Sequence, residues 1–185
     1  MVLTEERLLT VEEYFELEKN SEVRHEFYFG KLINMPGESK NANRIAKKIE
    51  SALDAILDHK IFETFRGEVR LNINQTAIYR YPDVMIALIS DDEDNYAVTQ
   101  PIVIVEVLSD STAKVDTGKK LREYTSLASL QYYLVVSQDE VLVQVNQRKG
   151  NSWEFSFYDK LSDKIHLSVF DKGLLLKDIY NGIVF

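Results

Sequence analysis

The stretch "PIVIVEVLSDSTAKVDTGKKLREY", Pro101 to Tyr124, carries a charge where an apolar run predicts none. "PIVIVEVL" is nearly continuous in β-branched and aliphatic residues, as in a strand covered on both faces, and Glu106 falls inside it. An ionised carboxylate is costly to bury unless it is paired or binds a metal. Just beyond, Ser111 or Thr112 offers an N-cap, and a helix is expected to about Ala128. Asp116, Lys120 and Tyr124 are spaced by four and share one face of it. Its first turns can fold back over the end of the strand and bring Lys120 to Glu106.

A second acid has a similar setting. In "AIYRYPDVMIALIS", Ala77 to Ser90, Pro82 marks a break and Asp83 heads the apolar "VMIALI". On adjacent antiparallel strands Asp83 and Glu106 would lie opposite or diagonal to one another. A hard cation such as Mg²⁺ or Mn²⁺ would relieve their repulsion. A lysine beside a metal-bound water can stabilise the charge that develops in phosphoryl transfer. Read singly, each residue also has a plainer role. Asp83 could accept backbone N–H groups, Glu106 could pair with Lys120 or Arg70, and Asp116–Lys120 could be an ordinary helix-surface pair worth about 0.3 kcal/mol. Tyr124 and Tyr133 suit a core.

Around these segments the sequence predicts one α+β domain over residues 1–185, with residues 1–9 a flexible N-terminal segment. Thr10 and Glu13 form a capping box for a helix to about Lys19. Arg24 to Met35 reads as a hairpin turning near Gly30, and Ser39 caps a long helix over residues 40–60. Further strands are expected in "EVRLNI", "LQYYLVVS", "EVLVQVNQ", "SWEFSFYD" and "KIHLSV", with a last helical turn in "LLLKDIY" and an acidic surface loop over residues 91–100.

Composition narrows the chemistry. The 185 residues include no cysteine, which excludes disulfides and thiolate sites and fits a reducing cytoplasm. His25, His59 and His166 lack ligand spacing, which argues against zinc. Neither a signal peptide nor a membrane span is expected. The net charge of −8 repels nucleic acid at long range, so a nucleic-acid substrate would need local basic groups or bridging metal ions.

Pro82-Asp83, Glu106-Val107-Leu108-Ser109, Ser111-Thr112, Asp116, Lys120, Tyr124 and Tyr133, in this order and spacing, resemble the Uma-two family. That family is a branch of the PD-(D/E)XK nuclease superfamily catalogued among restriction endonucleases. The standard Glu-x-Lys ending is absent: Leu108 stands at the lysine position, and the lysine has moved to the following helix. The resemblance runs from about Leu9 to Phe185 and includes His25-Glu26 before the Gly30 turn. It implies a restriction-endonuclease-like fold, with a central mixed sheet flanked by helices and an N-terminal hairpin. It also implies metal-dependent hydrolysis of phosphodiester bonds, with DNA the expected substrate. Asp83, Glu106 and the Val107 carbonyl would hold Mg²⁺ or Mn²⁺, with Lys120 and Glu26 completing the site. Tyr132, Ser137 and Asn43 replace residues common at those positions, which bears on peripheral contacts. The alternative is a nuclease fold without activity that serves as a binding module or as a protein partner. A homodimer is expected, and aromatic strands such as "RHEFYFG" could supply a dimer or partner interface.

Overall fold

The computed structural model describes residues 7–35, 37–73, 77–89, 94–108 and 110–185, with the side chains of 110–117 outside the described part. Helix α1 (Val11–Asn20) begins at the expected capping box, in which Thr10 and Glu13 satisfy each other's backbone N–H groups. Strands β1 (His25–Tyr28) and β2 (Lys31–Asn34) form the expected hairpin. Its turn holds Phe29 at φ 45° and Gly30 at φ 89°. A Cβ on Gly30 would meet Leu8 Cβ at 2.7 Å, so glycine is required by conformation and by space.

Ser39 caps helix α2 (Lys40–Asp54) by accepting from the Ala42 N–H. The helix stops six residues short of the sequence expectation. The Ala55 N–H turns back to Leu53 and Ser51, and the Asp58 carbonyl then takes the Ile61 and Phe62 N–H groups. The chain leaves as β3 (Phe62–Phe65), a strand the sequence reading missed. Next come β4 (Arg70–Asn72), β5 (Ile78–Arg80), β6 (Val84–Leu88), the two-residue β7 (Ala97–Val98), also missed, and β8 (Pro101–Leu108). Helix α3 (Asp110–Thr125) is followed by β9 (Tyr132–Ser137), β10 (Val143–Lys149), β11 (Ser152–Tyr158), β12 (Lys164–Leu167), β13 (Lys172–Leu175) and α4 (Leu176–Tyr180). Helix α3 begins at Asp110, so the expected caps Ser111 and Thr112 fall inside its first turn rather than before it; their side chains lie outside the described part. Of the expected acidic loop, residues 91–93 lie outside the described residues.

The expected central mixed sheet is present, in the order β11-β10-β9-β8-β6-β3, with β8 and β9 parallel and its other pairs antiparallel. The hairpin does not stand apart from it as a separate feature. It joins β5, β4 and β7 in a second, five-stranded sheet, and β12 and β13 make a small third one. Pro82 breaks "AIYRYPDVMIALIS" as expected, and the break sends β5 and β6 into different sheets. Helices on mixed sheets make the chain an α+β fold.

Both faces of the central sheet are covered, which explains the unbroken apolar run of β8. Val84, Ile86, Val103, Val105 and Val107 pack in one core with α2 and α4 residues such as Ile45, Ile49 and Ile179. Met85, Ala87 and Ile104 face the other way, into a core with Tyr124, Leu127, Leu130 and Tyr133. A third cluster of Tyr14, Phe27 and Tyr79 fixes α1 to the hairpin sheet. The aromatic segment proposed as a dimer interface is therefore largely internal: His25, Glu26 and Phe27 are buried. No helix among the described residues is long and apolar enough to cross a membrane.

Replacing Gly30 by alanine forces an L-residue into positive φ against Leu8 and is expected to cost about 1–2 kcal/mol. Thermal unfolding followed by circular dichroism should show a midpoint roughly 2–8 °C lower.

Candidate active site

The alternation of β8 decides where Glu106 points. Ile104 faces the core beneath α3, so Glu106, two residues on, follows it onto that side and away from the valine core. The last paired positions of β6 and β8 are Val84 and Val105. One step further, Asp83 arrives opposite Glu106 on the same face. Asp83 Oδ2 accepts the Val107 N–H at 2.6 Å. In an extended strand the N–H and C=O of one residue share an edge, so the Val107 carbonyl also faces the Asp83 side.

Helix α3 supplies the cation. Lys120 Nζ lies 3.2 Å from Glu106 Oε1 and 3.3 Å from Glu26 Oε1, and Tyr124, one turn on, donates its hydroxyl to Glu106 Oε1 at 2.7 Å. Glu26 comes from β1 in the other sheet. These groups are buried: Glu26 is 7%, Glu106 4% and Lys120 8% exposed. Asp83, Glu106, Glu26 and Lys120 thus share one place, and the side chain of Asp116 lies outside the described part.

Two further charges complete the network. Arg80 Nη1 donates to Glu26 Oε2 at 2.6 Å, while Nε and Nη2 grip both oxygens of Glu123 at 2.8 Å each. The sequence reading missed both residues. The signal for Arg80 was the one that exposed Glu106, a lone charge in an otherwise apolar and aromatic strand. Arg70, a proposed counter-ion for the carboxylates, goes elsewhere: its guanidinium sits 4.5 Å from the Phe15 ring centroid and 4.0 Å from Asp94. Its strand, β4, lies on the far side of β5 from the hairpin that carries Glu26. Tyr133 is a core residue whose ring meets Tyr124 edge-on at 5.2 Å.

Among the described residues, acids outnumber bases at the site: four carboxylates, Glu26, Asp83, Glu106 and Glu123, face two cations, Arg80 and Lys120. Burial, reinforced by the charge of Glu106, pushes the Asp83 carboxyl up to about 7. Burial also raises Glu106, against the opposing pull of Lys120 and the Tyr124 hydrogen bond. Among the described residues, the hydrogen bonds to these two acids engage one oxygen each, Oδ2 and Oε1. Among the described residues no three His, Cys, Asp or Glu side chains form a ready metal cage. Two hard carboxylates with a surplus of negative charge nevertheless fit Mg²⁺ or Mn²⁺. Mg²⁺ in particular is usually held by one or two carboxylates together with waters and substrate phosphate. The site opens into a cleft of about 900 Å³ whose lining also includes Glu22, Arg24, Glu38, Gln138 and Asp139.

Residues 11–177 match the sequence profile of Uma2, described as "Putative restriction endonuclease". The chain belongs to the Uma2 family. It is similar to two uncharacterized proteins of Synechocystis sp. (strain ATCC 27184 / PCC 6803 / Kazusa). One, sll1609, is 33% identical over 154 residues, covering 82% of this chain and 87% of that protein. The other, slr1290, is 30% identical over 179 residues, covering 96% and 94%. The fold is similar to the crystal structure of "a putative nuclease belonging to DUF820" from Anabaena variabilis ATCC 29413. The TM-score is 0.78 at 19% identity, over 95% of this chain and 99% of that one. The three residues expected to depart from the family pattern have local partners. Tyr132 accepts the Ser168 N–H, Ser137 accepts the Asp139 N–H, and Asn43 donates to Glu38.

Two outcomes follow from these charges. Arg80→Ala strands Glu26 and Glu123 without their guanidinium and should cost about 3–5 kcal/mol in urea unfolding. Asp83 behaves oppositely. Its folded-state affinity for a proton exceeds the unfolded one, so stability falls as pH rises from about 4 through about 7. Asp83→Asn keeps an acceptor for the Val107 N–H and lacks that penalty. In chelator its melting midpoint should rise relative to wild type between pH 5 and pH 8.

Proposed function

We propose that this chain is a divalent-metal-dependent endonuclease that hydrolyses phosphodiester bonds in DNA. The observation that carries the reading is the Lys120 ammonium, which reaches Glu106 and Glu26 from α3 beside Asp83 in an open cleft. Acids for a hard cation and a cation for developing charge are what phosphodiester hydrolysis needs. The Uma2 description and the name of the Anabaena neighbour support the same class.

Asp83, Glu106 and the Val107 carbonyl would hold Mg²⁺ or Mn²⁺. Such an ion, when bound, supplies Lewis-acid polarisation of the phosphate and acidifies water. The chain's own groups do the positioning. Lys120 donates to a non-bridging phosphate oxygen or to the attacking water, and Glu26 keeps the ammonium in range. Tyr124 fixes the rotamer of Glu106 through its hydroxyl. Arg80 fixes Glu26, and Arg24 on the cleft wall offers a contact to phosphate.

The acidic lining, with Glu22, Glu38 and Asp139 beside the central acids, favours a second reading: a nuclease fold that binds a partner without hydrolysis. Plasmid nicking separates the two. Wild type should nick supercoiled DNA in Mn²⁺ and not in EDTA, and Lys120→Ala should slow nicking by about 100-fold or more. By calorimetry Lys120→Ala should still bind Mn²⁺, whereas Asp83→Asn and Glu106→Gln should lose it. A Mn²⁺-loaded wild type with no activity on plasmid or single-stranded DNA would leave the second reading. Undiminished Mn²⁺ affinity in both acid variants would remove the site itself.

A further inference from the structure

The central sheet ends at β11, seven residues reading "SWEFSFY", and among the described residues nothing pairs with its outer edge. Its hairpin with β10 closes at Lys149 and Ser152 around a two-residue turn. Even-numbered residues of β11 therefore direct their backbone groups to β10, and Trp153, Phe155 and Phe157 direct theirs outward. The side chains of these same three residues form an aromatic row on one face. Trp153 is partly packed on the core beneath Arg148, while Phe155 and Phe157 are 55% and 67% exposed.

Free edge strands usually carry a guard: a lysine, a proline, a bulge or a covering element. Within Ser152–Tyr158 there is no proline and no basic residue, the pairing with β10 is regular, and the only charge is Glu154. At the opposite edge of the sheet, β3 is four residues long and half-buried throughout. The contrast singles out β11 as an edge shaped for pairing.

We infer that two copies of this chain associate through β11, paired antiparallel about a two-fold axis at Phe155. The register follows from the strand itself. Phe155 faces Phe155 of the second copy, Trp153 faces Phe157, and Glu154 faces Ser156, so no like charges meet. The outward N–H and C=O groups of Trp153, Phe155 and Phe157 then find partners, and the two six-stranded sheets become continuous. Two largely exposed phenylalanines and a strand edge bury on the order of 500 Å² per copy, close to the lower limit for a specific interface. A contact of that size fits a dimer in the micromolar range.

Sedimentation velocity from about 1 to 200 µM should show a reversible monomer–dimer equilibrium. The double variant Phe155→Lys/Phe157→Lys, with an unchanged circular-dichroism spectrum, should weaken it by roughly tenfold or more. Because the chain has no cysteine, single cysteines test the register and do not depend on that variant folding. A mixture of Glu154→Cys and Ser156→Cys should form disulfide-linked dimers at least about tenfold faster than either alone. A wild type that stays monomeric across the range overturns the inference. So does a dimer that survives the double substitution in a folded protein, and so does a mixture that cross-links no faster than its components.

Discussion

The carboxylate of Glu106, held inside a strand with apolar neighbours on both faces, is the constraint around which the rest is arranged. Burial alone would drive it to take up a proton. Lys120 and Tyr124 oppose this, and both come from α3, so the helix must dock with one face turned to the end of β8. The ammonium in turn needs a second acid, which β1 provides as Glu26, and Glu26 needs Arg80 from β5. One chain of charges thus links the hairpin sheet to the central sheet through a single helix. A buried ion pair adds little stability compared with apolar packing, but breaking one is expensive. The network therefore specifies how the two sheets meet more than it stabilises them.

The parts of this arrangement that were legible in the sequence are those set by local periodicity. The two-residue repeat of β8 and the four-residue repeat of α3 place Glu106, Lys120 and Tyr124 from spacing alone. Asp83 needed only the assumption that β6 and β8 are neighbours, which their register bears out. Arg80 and Glu123 were not legible, because their meeting depends on β5 leaving the central sheet at Pro82 to pair with β1. A single apolar segment split between two sheets has no local signature. β3 was hidden for a related reason: Ile56 and Leu57 continue the helical spacing of α2 although the backbone has already turned. β7, two residues long, offers too little pattern to read.

The excess of acid over base at the site marks where stability and function part. A fold under selection for stability alone would gain by neutralising Asp83, whose ionised form is penalised by burial and by Glu106. When Asp83 is ionised, the pocket holds a surplus of negative charge that a divalent ion would offset. Among the described residues the same surplus of acid extends to the cleft walls, where Glu22, Glu38 and Asp139 outnumber Arg24. A polyanion approaching this cleft alone meets repulsion; one arriving with cations does not.

Placing the lysine on α3 also changes what the site depends on. Position 108, two residues beyond Glu106 on the same face of β8, is Leu108, which helps line the cleft. A lysine there would be positioned by the strand that carries the acid. Lys120 is positioned by the packing of a helix, and that packing has identifiable sources. The Tyr124 ring rests edge-on against Tyr133, and Leu127 and Leu130 continue the contact past the end of α3. Arg148, from β10, donates to the carbonyls of Thr125, Leu127 and Leu130, tying the outgoing turn to the sheet. The reach of the ammonium to Glu106 is thus set partly by a guanidinium two strands away, which touches none of the acids it helps to serve.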